Sequence, residues 1–302
     1  MLKLSIIIPT YNSGGFLEQA LLSILNQTYK NIELIIIDGG STDNTVNIIK
    51  KYNSSIYYWI SEKDSSPADA TNKALKHVTG DITTFFGADD YYIDNTALEQ
   101  IVNEFVINPH IDLLFCNINS IDRKTEKIIS LVNNDSKLFL SLNKHDNSII
   151  PHIKLGYLLG LVFAGMSIRT AAMSNFKFDI SNVAPDYEFI LYMWRKGCFF
   201  RYIDSPLLNV RQGGVSYTAK WDVILRDRFF VNKNFFGLFM AVKLHPWLSH
   251  SLFKTAFIRY TYTQAQVMRS YTQVMRYLHN HGFRPFYWYR TIKSYIFTKR
   301  KP

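Results

Sequence analysis

The segment GDITTFFGADDYY, residues 80–92, decides the fold class of this 302-residue chain. Residues 81–90 predict a β-strand, because β-branched and aromatic residues dominate the first part of this run. The strand ends on Asp89 and Asp90, whose carboxylates repel each other and are costly to bury without a partner. A strand end that opens onto a cleft relieves this cost if the two acids bind a hard cation such as Mg²⁺ or Mn²⁺. Capping of a helix that begins just after Asp94 is the alternative explanation.

Strand-like and helix-like segments alternate before this point. Apolar runs predict three earlier strands, at residues 4–10, 32–38 and 55–61. Helical spacing and cap residues predict helices at residues 15–27, after the Gly39-Gly40 turn, and at 66–78. Such alternation is typical of a mainly parallel α/β sheet, in which ligands collect outside the carboxyl ends of the strands. Asp38, at the end of the second strand, is therefore expected at the same cleft as the acid pair.

The second half of the chain has a less regular pattern. Residues 111–121 and 199–211 predict further strands. Residues 185–197 predict a helix, with acids at its start and cations at its end that complement the helix dipole. From residue 220 onward the chain is expected to be helical, because aromatic and aliphatic residues recur on one helical face.

Charge is distributed unevenly along the chain, whose formal net charge is +10. Residues 1–219 contain 19 Lys+Arg and 22 Asp+Glu, which is a net −3, whereas residues 220–302 contain 15 and 2, a net +13. A basic, aromatic-rich tail suits an anionic membrane surface. Packing of its aromatic face on the rest of the protein is the alternative. Nucleic acid is a weaker explanation, because no DNA- or RNA-binding motif accompanies the charge.

Composition excludes several classes of protein. Two cysteines cannot form a disulfide-rich scaffold and have no zinc-binding spacing. No uncharged apolar run reaches about 18 residues, so no membrane-spanning helix is expected. The first residues, MLKLSIIIPT, predict a strand rather than a signal peptide, since they lack its apolar length and cleavage site.

Several polar residues near the predicted strand and helix ends are candidates for binding or catalysis. Asp38 could accept a hydrogen bond from a nucleobase N–H or a ribose hydroxyl, or could serve as a turn residue before the glycine pair. Asp69 and Asn72 share one helical face, which could line the cleft or face solvent. Asp186 could be a general base, or could stabilise the helix that it begins. Arg211, beside a glycine loop, suits a phosphate but also an ordinary loop.

Taken together, six segments resemble the family 2 glycosyltransferases, which have the GT-A fold. In order they are SIIIPTYN, IIIDGGSTDNT, SEKDSSPADATNKAL, GDITTFFGADDYY, PDYEFILYMWRKG and RQGGVS. The resemblance implies an α/β GT-A catalytic domain over residues 1–218, Rossmann-like, with a mainly parallel sheet flanked by helices. Its nucleotide-sugar half would cover about 1–110 and its acceptor half about 111–218. Residues 219–302 would form a helical, basic, aromatic-rich C-terminal region.

The resemblance also implies roles for single residues, each at a position that matches a family motif. Asp186 would be the catalytic base, and Asp89 and Asp90 would bind the Mg²⁺ or Mn²⁺ ion, with Asp89 also reaching the ribose. Asp38 would bind the base, usually uracil, and Arg211 would close over the diphosphate. The remaining contacts to the nucleotide-sugar would come from Pro9, Thr10, Tyr11, Asp69, Asn72 and Lys73.

The implied reaction moves a sugar from a nucleotide-sugar, expected to be a UDP-sugar, onto a hydroxyl of a glycan or lipid-linked acceptor, with inversion. Such enzymes of bacterial surface-polysaccharide synthesis work at the inner face of the cell membrane. We therefore expect a cytoplasmic protein in peripheral membrane contact through residues 220–302, with no nucleic-acid partner. A catalytically inactive nucleotide-sugar-binding relative is one alternative. A nucleotidyltransferase is another, although PTYNSGGF lacks the cations expected after its first strand.

Three departures from the family pattern concern specificity. Gly87 stands where relatives often carry Asn or Asp, so one ligand is expected to be missing from that strand end. SSPADA replaces an SGIYDA type of segment, which predicts a different sugar pocket. Pro185 stands where an acid often precedes the base.

Overall fold

The computed structural model describes residues 1–132, 143, 164–182, 185–213, 231 and 234. The chain divides into two units, Met1–Arg228 and Phe229–Pro302, and the described strands and helices belong to the first. Apart from residues 231 and 234, the predicted C-terminal helical region lies outside the described residues, as does the predicted domain boundary at residue 218.

The described residues form an α/β fold, in which helices flank one mixed β-sheet. Its strands are β1 Leu4–Thr10, β2 Ile32–Asp38, β3 Tyr58–Ser61, β4 Ile82–Phe85, β5 Tyr91–Tyr92, β6 Leu113–Ile121, β7 Ile128–Val132, β8 Met166–Arg169 and β9 Phe200–Arg211. The helices are α1 Leu17–Leu25, α2 Thr45–Lys51, α3 Pro67–Leu75, α4 Ala97–Ile107 and α5 Pro185–Arg195. No helix in these described ranges is long and apolar enough to cross a membrane.

The central strands form because their sequences are apolar on both faces. Ile6, Ile7 and Ile8 of β1 are fully buried, and β2 is buried from Glu33 to its last residue. A strand without polar alternation is typical of a parallel sheet that is covered by helices on both sides. Helix α1 contributes one such cover, because its buried residues recur at helical spacing: Leu17, Ala20, Leu21 and Ile24.

The strand order is β3-β2-β1-β4-β8-β6-β9-β5, and β7 pairs with β6. Strands β1 to β4 pair in parallel, and the order reverses between β1 and β4, which creates a crevice outside their carboxyl ends. β8 is antiparallel to both β4 and β6, so β6 runs in the same direction as β4. β9 is parallel to β6. The carboxyl ends of β1, β2, β3, β4, β6 and β9 therefore share one edge of the sheet, which we name the C-edge.

Candidate active site

The loops at the C-edge are fixed to one another by hydrogen bonds. In the loop after β1, Asn12 has a left-handed backbone (φ 48°), and its side chain accepts a bond from Thr42 N–H at 2.9 Å. The backbone N–H of Asn12 donates to Ser41 at 2.7 Å, and that of Gly14 donates to Asp43 at 2.8 Å. The loops after β1 and β2 thus form a preorganised wall of the crevice.

Asp89 is the acid of the pair that faces the crevice. Its side chain is 24% exposed, and one carboxylate oxygen accepts a hydrogen bond from Arg123 Nη1 at 2.6 Å. Arg123 lies on the turn after β6, 34 residues further along the chain. The repulsion expected between the adjacent carboxylates is therefore reduced by a basic side chain of the protein itself.

Asp90 faces the protein interior instead. It is 4% exposed, and its carboxyl group accepts the backbone N–H of Arg211 at 3.3 Å. Burial, reinforced by the neighbouring charge of Asp89, raises the pKa of Asp90 to about 8, against the lowering effect of Arg211. The side chain also occupies the space beside Gly87, where a Cβ would lie 2.3 Å from an Asp90 oxygen. The departure at Gly87 thus has a packing explanation.

The two acids differ in how well they suit a divalent cation. The exposed carboxylate of Asp89 fits a hard cation that takes one protein carboxylate plus substrate phosphates. Asp90 fits less well, because its carboxyl group is buried and already accepts the backbone N–H of Arg211. Among the described residues, no group of three His, Cys, Asp or Glu side chains could hold a metal ion. The assignment of both acids as ligands remains a prediction.

Arg211 is the last residue of β9, and its side chain is fully buried. One end of its guanidinium donates to the Asp89 carbonyl, and the other to Gln19 at 2.6 Å and to Glu126, with which it forms an ion pair. Arg211 therefore holds the acid pair in place from the interior of the protein, through the Asp89 carbonyl and the Asp90 carboxyl. Gln212 and Gly213 follow it, and residues 214–216 of the predicted glycine loop lie beyond the described part of the chain. Phosphate binding by Arg211 stays a prediction.

Asp38 is fully buried at the end of β2. Its carboxylate accepts hydrogen bonds from the Ser61 hydroxyl at 2.6 Å, the Ser41 N–H at 2.9 Å and the Gly40 N–H at 3.2 Å, and from the Ser41 hydroxyl. These bonds hold the turn after β2 against β3. Its predicted contact with a nucleobase remains a prediction and would require some of these bonds to rearrange.

The end of β1 offers two different surfaces. Tyr11 is 61% exposed, as a side chain available for stacking would be. Thr10 is 5% exposed, and its hydroxyl has no hydrogen-bond partner among the described residues. A buried hydroxyl without a protein partner is uncommon. Together with Pro9, these residues lie at the carboxyl end of β1, and their contacts to the nucleoside stay predictions.

Asp69, Asn72 and Lys73 lie on helix α3, which follows the C-edge end of β3. Asp69 lies in the first turn, where the Ser66 hydroxyl caps its N–H at 3.3 Å. Lys73 pairs with Glu62 at 2.7 Å. Asn72 exchanges two hydrogen bonds of 2.9 Å with the backbone of Phe178, so its amide connects two distant segments. Donor contacts by Asp69, Asn72 and Lys73 stay predictions.

Asp186 lies in the first turn of α5, and its carboxylate accepts the Tyr187 N–H at 2.9 Å. One turn later, Phe189 packs edge-on against Phe85, the last residue of β4, with ring centroids 6.0 Å apart. The start of α5 therefore lies near the strand end that carries the acid pair. This is the placement that a base facing the same crevice requires, and the catalytic role itself stays a prediction.

Three charged residues at the C-edge were not identified from the sequence. Arg123 and Glu126 come from the turn after β6 and pair with Asp89 and Arg211. Asp64 lies over Gly39, where a Cβ would be 2.7 Å from its carboxylate, and burial raises its pKa. In the sequence, only the acid Asp64 in SEKDS and the charged segment DRKTEK could have suggested these residues.

A shallow cavity of about 340 Å³ lies at the opposite edge of the sheet, and none of the predicted site residues lines it.

The sequence comparisons agree on one family. Residues 5–167 match the model of glycosyl transferase family 2. An uncharacterized glycosyltransferase of Haemophilus influenzae is 37% identical over 191 residues, which cover 62% of this chain and 70% of that protein.

Solved structures show the same fold at low sequence identity. Staphylococcus aureus TarS in complex with UDP-GlcNAc superposes with a TM-score of 0.59 at 20% identity, covering 88% of this chain and 78% of the other. The mannosyltransferase PcManGT from Pyrobaculum calidifontis, in complex with GDP-Man and Mn²⁺, gives 0.58 at 16% identity, with coverages of 98% and 85%. The predicted α/β GT-A fold is thereby confirmed.

Proposed function

Because the chain belongs to glycosyl transferase family 2, we propose that it transfers a sugar from a nucleotide-sugar, with UDP as the nucleotide, to a hydroxyl of a glycan or lipid-linked acceptor. The transfer is proposed to invert the anomeric carbon and to use Mg²⁺ or Mn²⁺.

The observation that carries this proposal is the arrangement of the C-edge. Thr10 ends β1 and Asp89 follows β4, the two adjacent strands at which the strand order reverses, and α5, which begins with Pro185 and Asp186, packs through Phe189 on the last residue of β4. In open α/β sheets, the crevice at such a reversal is where ligands bind. The neighbours TarS, with UDP-GlcNAc, and PcManGT, with GDP-Man and Mn²⁺, support a nucleotide-sugar and a divalent ion as the ligands.

In the proposed mechanism, Asp186 accepts the proton of the acceptor hydroxyl as its oxygen attacks the anomeric carbon. A general base must lie within hydrogen-bond reach of the hydroxyl, on the face opposite to the leaving group. Because the acceptor oxygen displaces the nucleotide diphosphate directly, in a single step, the configuration of the anomeric carbon is inverted. Asp89 would hold the divalent ion, which when bound supplies positive charge to the leaving nucleotide diphosphate.

We further propose that the protein works at the cytoplasmic face of the membrane and that residues 220–302 contact anionic lipid headgroups. The net charge of +13 in this region and its aromatic content support this placement. A lipid-linked acceptor would bring the site close to such a surface.

The test combines nucleotide binding with turnover in the full chain. Asp186→Asn should abolish release of UDP from UDP-GlcNAc or UDP-glucose and leave the affinity for UDP, measured by calorimetry with Mn²⁺, essentially unchanged. Glu188→Gln, in the same helical turn, is the matched control and should retain turnover. Full activity of Asp186→Asn would remove this residue from the mechanism. UDP binding without turnover of any donor by the wild type would favour the catalytically inactive relative.

A further inference from the structure

Arg123 is the basic residue that reaches the acid pair from the opposite wall of the crevice. Its guanidinium donates to Asp89 at 2.6 Å and lies 4.2 Å from the ring centroid of Phe16, at the start of α1. Its stem passes Gly213, where a Cβ would lie 3.7 Å from the Arg123 Cδ. The side chain thus connects the loops that follow β1, β4, β6 and β9.

The turn that carries Arg123 is rigidly built. Asp122 accepts the N–H groups of Thr125 at 2.7 Å and Lys124 at 3.1 Å, and backbone bonds of 2.9 Å join Asp122 to Glu126 and to Lys127. Glu126 has a left-handed backbone (φ 56°) and pairs with the buried Arg211. The backbone of Arg123 is therefore fixed, whereas its side chain remains 35% exposed.

The two arginines that stack on Phe16 have different capacities to bind a ligand. Arg211 is fully buried, and its terminal nitrogens donate to Asp89, Gln19 and Glu126. Arg123 uses one nitrogen, and its other guanidinium N–H groups have no acceptor among the described residues. A planar guanidinium with free donors, held beside one carboxylate, matches the geometry of a phosphate group.

We propose that Arg123 binds the diphosphate of the nucleotide donor, and that it competes with the divalent cation for Asp89. In the empty site its charge stabilises the Asp89 carboxylate. When the donor enters, the N–H groups of Arg123 bind phosphate oxygens and the bond from Arg123 Nη1 to Asp89 is given up, so that the Asp89 carboxylate becomes available to the cation. This inference rests on the proposed function, since it assumes a nucleotide diphosphate in the crevice.

Calorimetric titrations of the full chain test both parts. Arg123→Gln should weaken binding of UDP and GDP in EDTA by about tenfold or more, as expected for loss of hydrogen bonds to a charged group. The same variant should bind Mn²⁺ alone, without nucleotide, several-fold more tightly, because Asp89 has lost its competitor. Arg123→Lys keeps the positive charge but not the planar guanidinium, so its affinities for nucleotide and for Mn²⁺ should fall between those of the wild type and Arg123→Gln. Arg201→Gln is the control, since it removes a surface pair with Glu104 at 3.0 Å.

The outcomes separate this inference from the proposed function. If the wild type binds UDP or GDP and Arg123→Gln binds it equally well in EDTA, the role of Arg123 is overturned while the proposed function stands. Unchanged Mn²⁺ affinity in Arg123→Gln would overturn the competition for Asp89. Absence of nucleotide binding by the wild type, with and without Mn²⁺, would overturn both proposals. Thermal unfolding of each variant confirms that the native fold is retained.

Discussion

Replacement of Gly87 by alanine is expected to destabilise the fold through the acid pair. The added Cβ would lie 2.3 Å from Asp90 Oδ2 and 2.9 Å from Asp90 Cγ, closer than real Cβ contacts allow. Asp90 cannot easily move away, because it is 4% exposed and its carboxyl accepts the Arg211 N–H at 3.3 Å. A turn bond of 3.1 Å from its own N–H to the Gly87 carbonyl fixes the backbone.

The expected magnitude follows from these contacts. Overpacking of a well-packed interior typically costs about 1–3 kcal/mol, and a displaced carboxyl would leave a buried N–H without its partner, at about 1 kcal/mol more. We therefore expect Gly87→Ala to lower the free energy of unfolding by about 2–4 kcal/mol. For a domain of this size each kcal/mol corresponds to roughly 2–4 °C in Tm, so the shift should be easily measured.

Urea and thermal unfolding at neutral pH provide the assay. Gly15→Ala is the matched control, because its added Cβ would meet no heavy atom within 4 Å beyond its chain neighbours. The stability of this control should stay within about 0.5 kcal/mol of the wild type. In an Asp90→Ala background the cost of Gly87→Ala should fall sharply, since the obstructing group is gone. The reasoning is refuted if Gly87→Ala costs no more than Gly15→Ala, or if its cost is the same in both backgrounds.

Two further predictions concern polar groups that support the fold. Asn72→Ala should lower the free energy of unfolding by about 1–3 kcal/mol, because the backbone N–H and C=O of Phe178 lose their partner. Asn47→Ala is the control: it removes only an exposed hydrogen bond to Asn44 and should change the free energy of unfolding little in the same thermal and urea unfolding experiments. Burial acts to raise the pKa of Glu33, but hydrogen bonds from Lys3, Ser5 and Thr79 outweigh it and lower the pKa. The charged carboxylate therefore stabilises the fold at pH values above its ordinary pKa of 4.5, and this stabilisation is lost as the pH falls. Glu33→Gln should thus be less stable than the wild type at pH 7, and urea midpoints should converge as the pH falls below the ordinary value of 4.5; a constant difference would contradict the assigned pKa shift.

Local sequence patterns were enough to locate the central elements of the sheet. The predominantly apolar runs give β1 and β2 with the predicted bounds, since a strand that is buried on both faces shows as such a run. The predicted strand over 81–90 is shorter in the structure and ends at Phe85, because the Asp90 N–H bonds back to Gly87 and closes a turn. The helix predicted over 185–197 is confirmed as Pro185–Arg195.

Which charges meet at the site is set by the three-dimensional fold. Asp89 and Asp90 are adjacent in sequence and look alike, yet one faces the crevice and the other the interior. The partner of Asp89 is Arg123, and its position depends on β8 pairing with both β4 and β6, so that two strands distant in sequence end at the same edge. Hydrophobic periodicity is a local property and can be read along the chain. The partner and the burial of a charge depend on non-local strand pairing, which no short segment specifies.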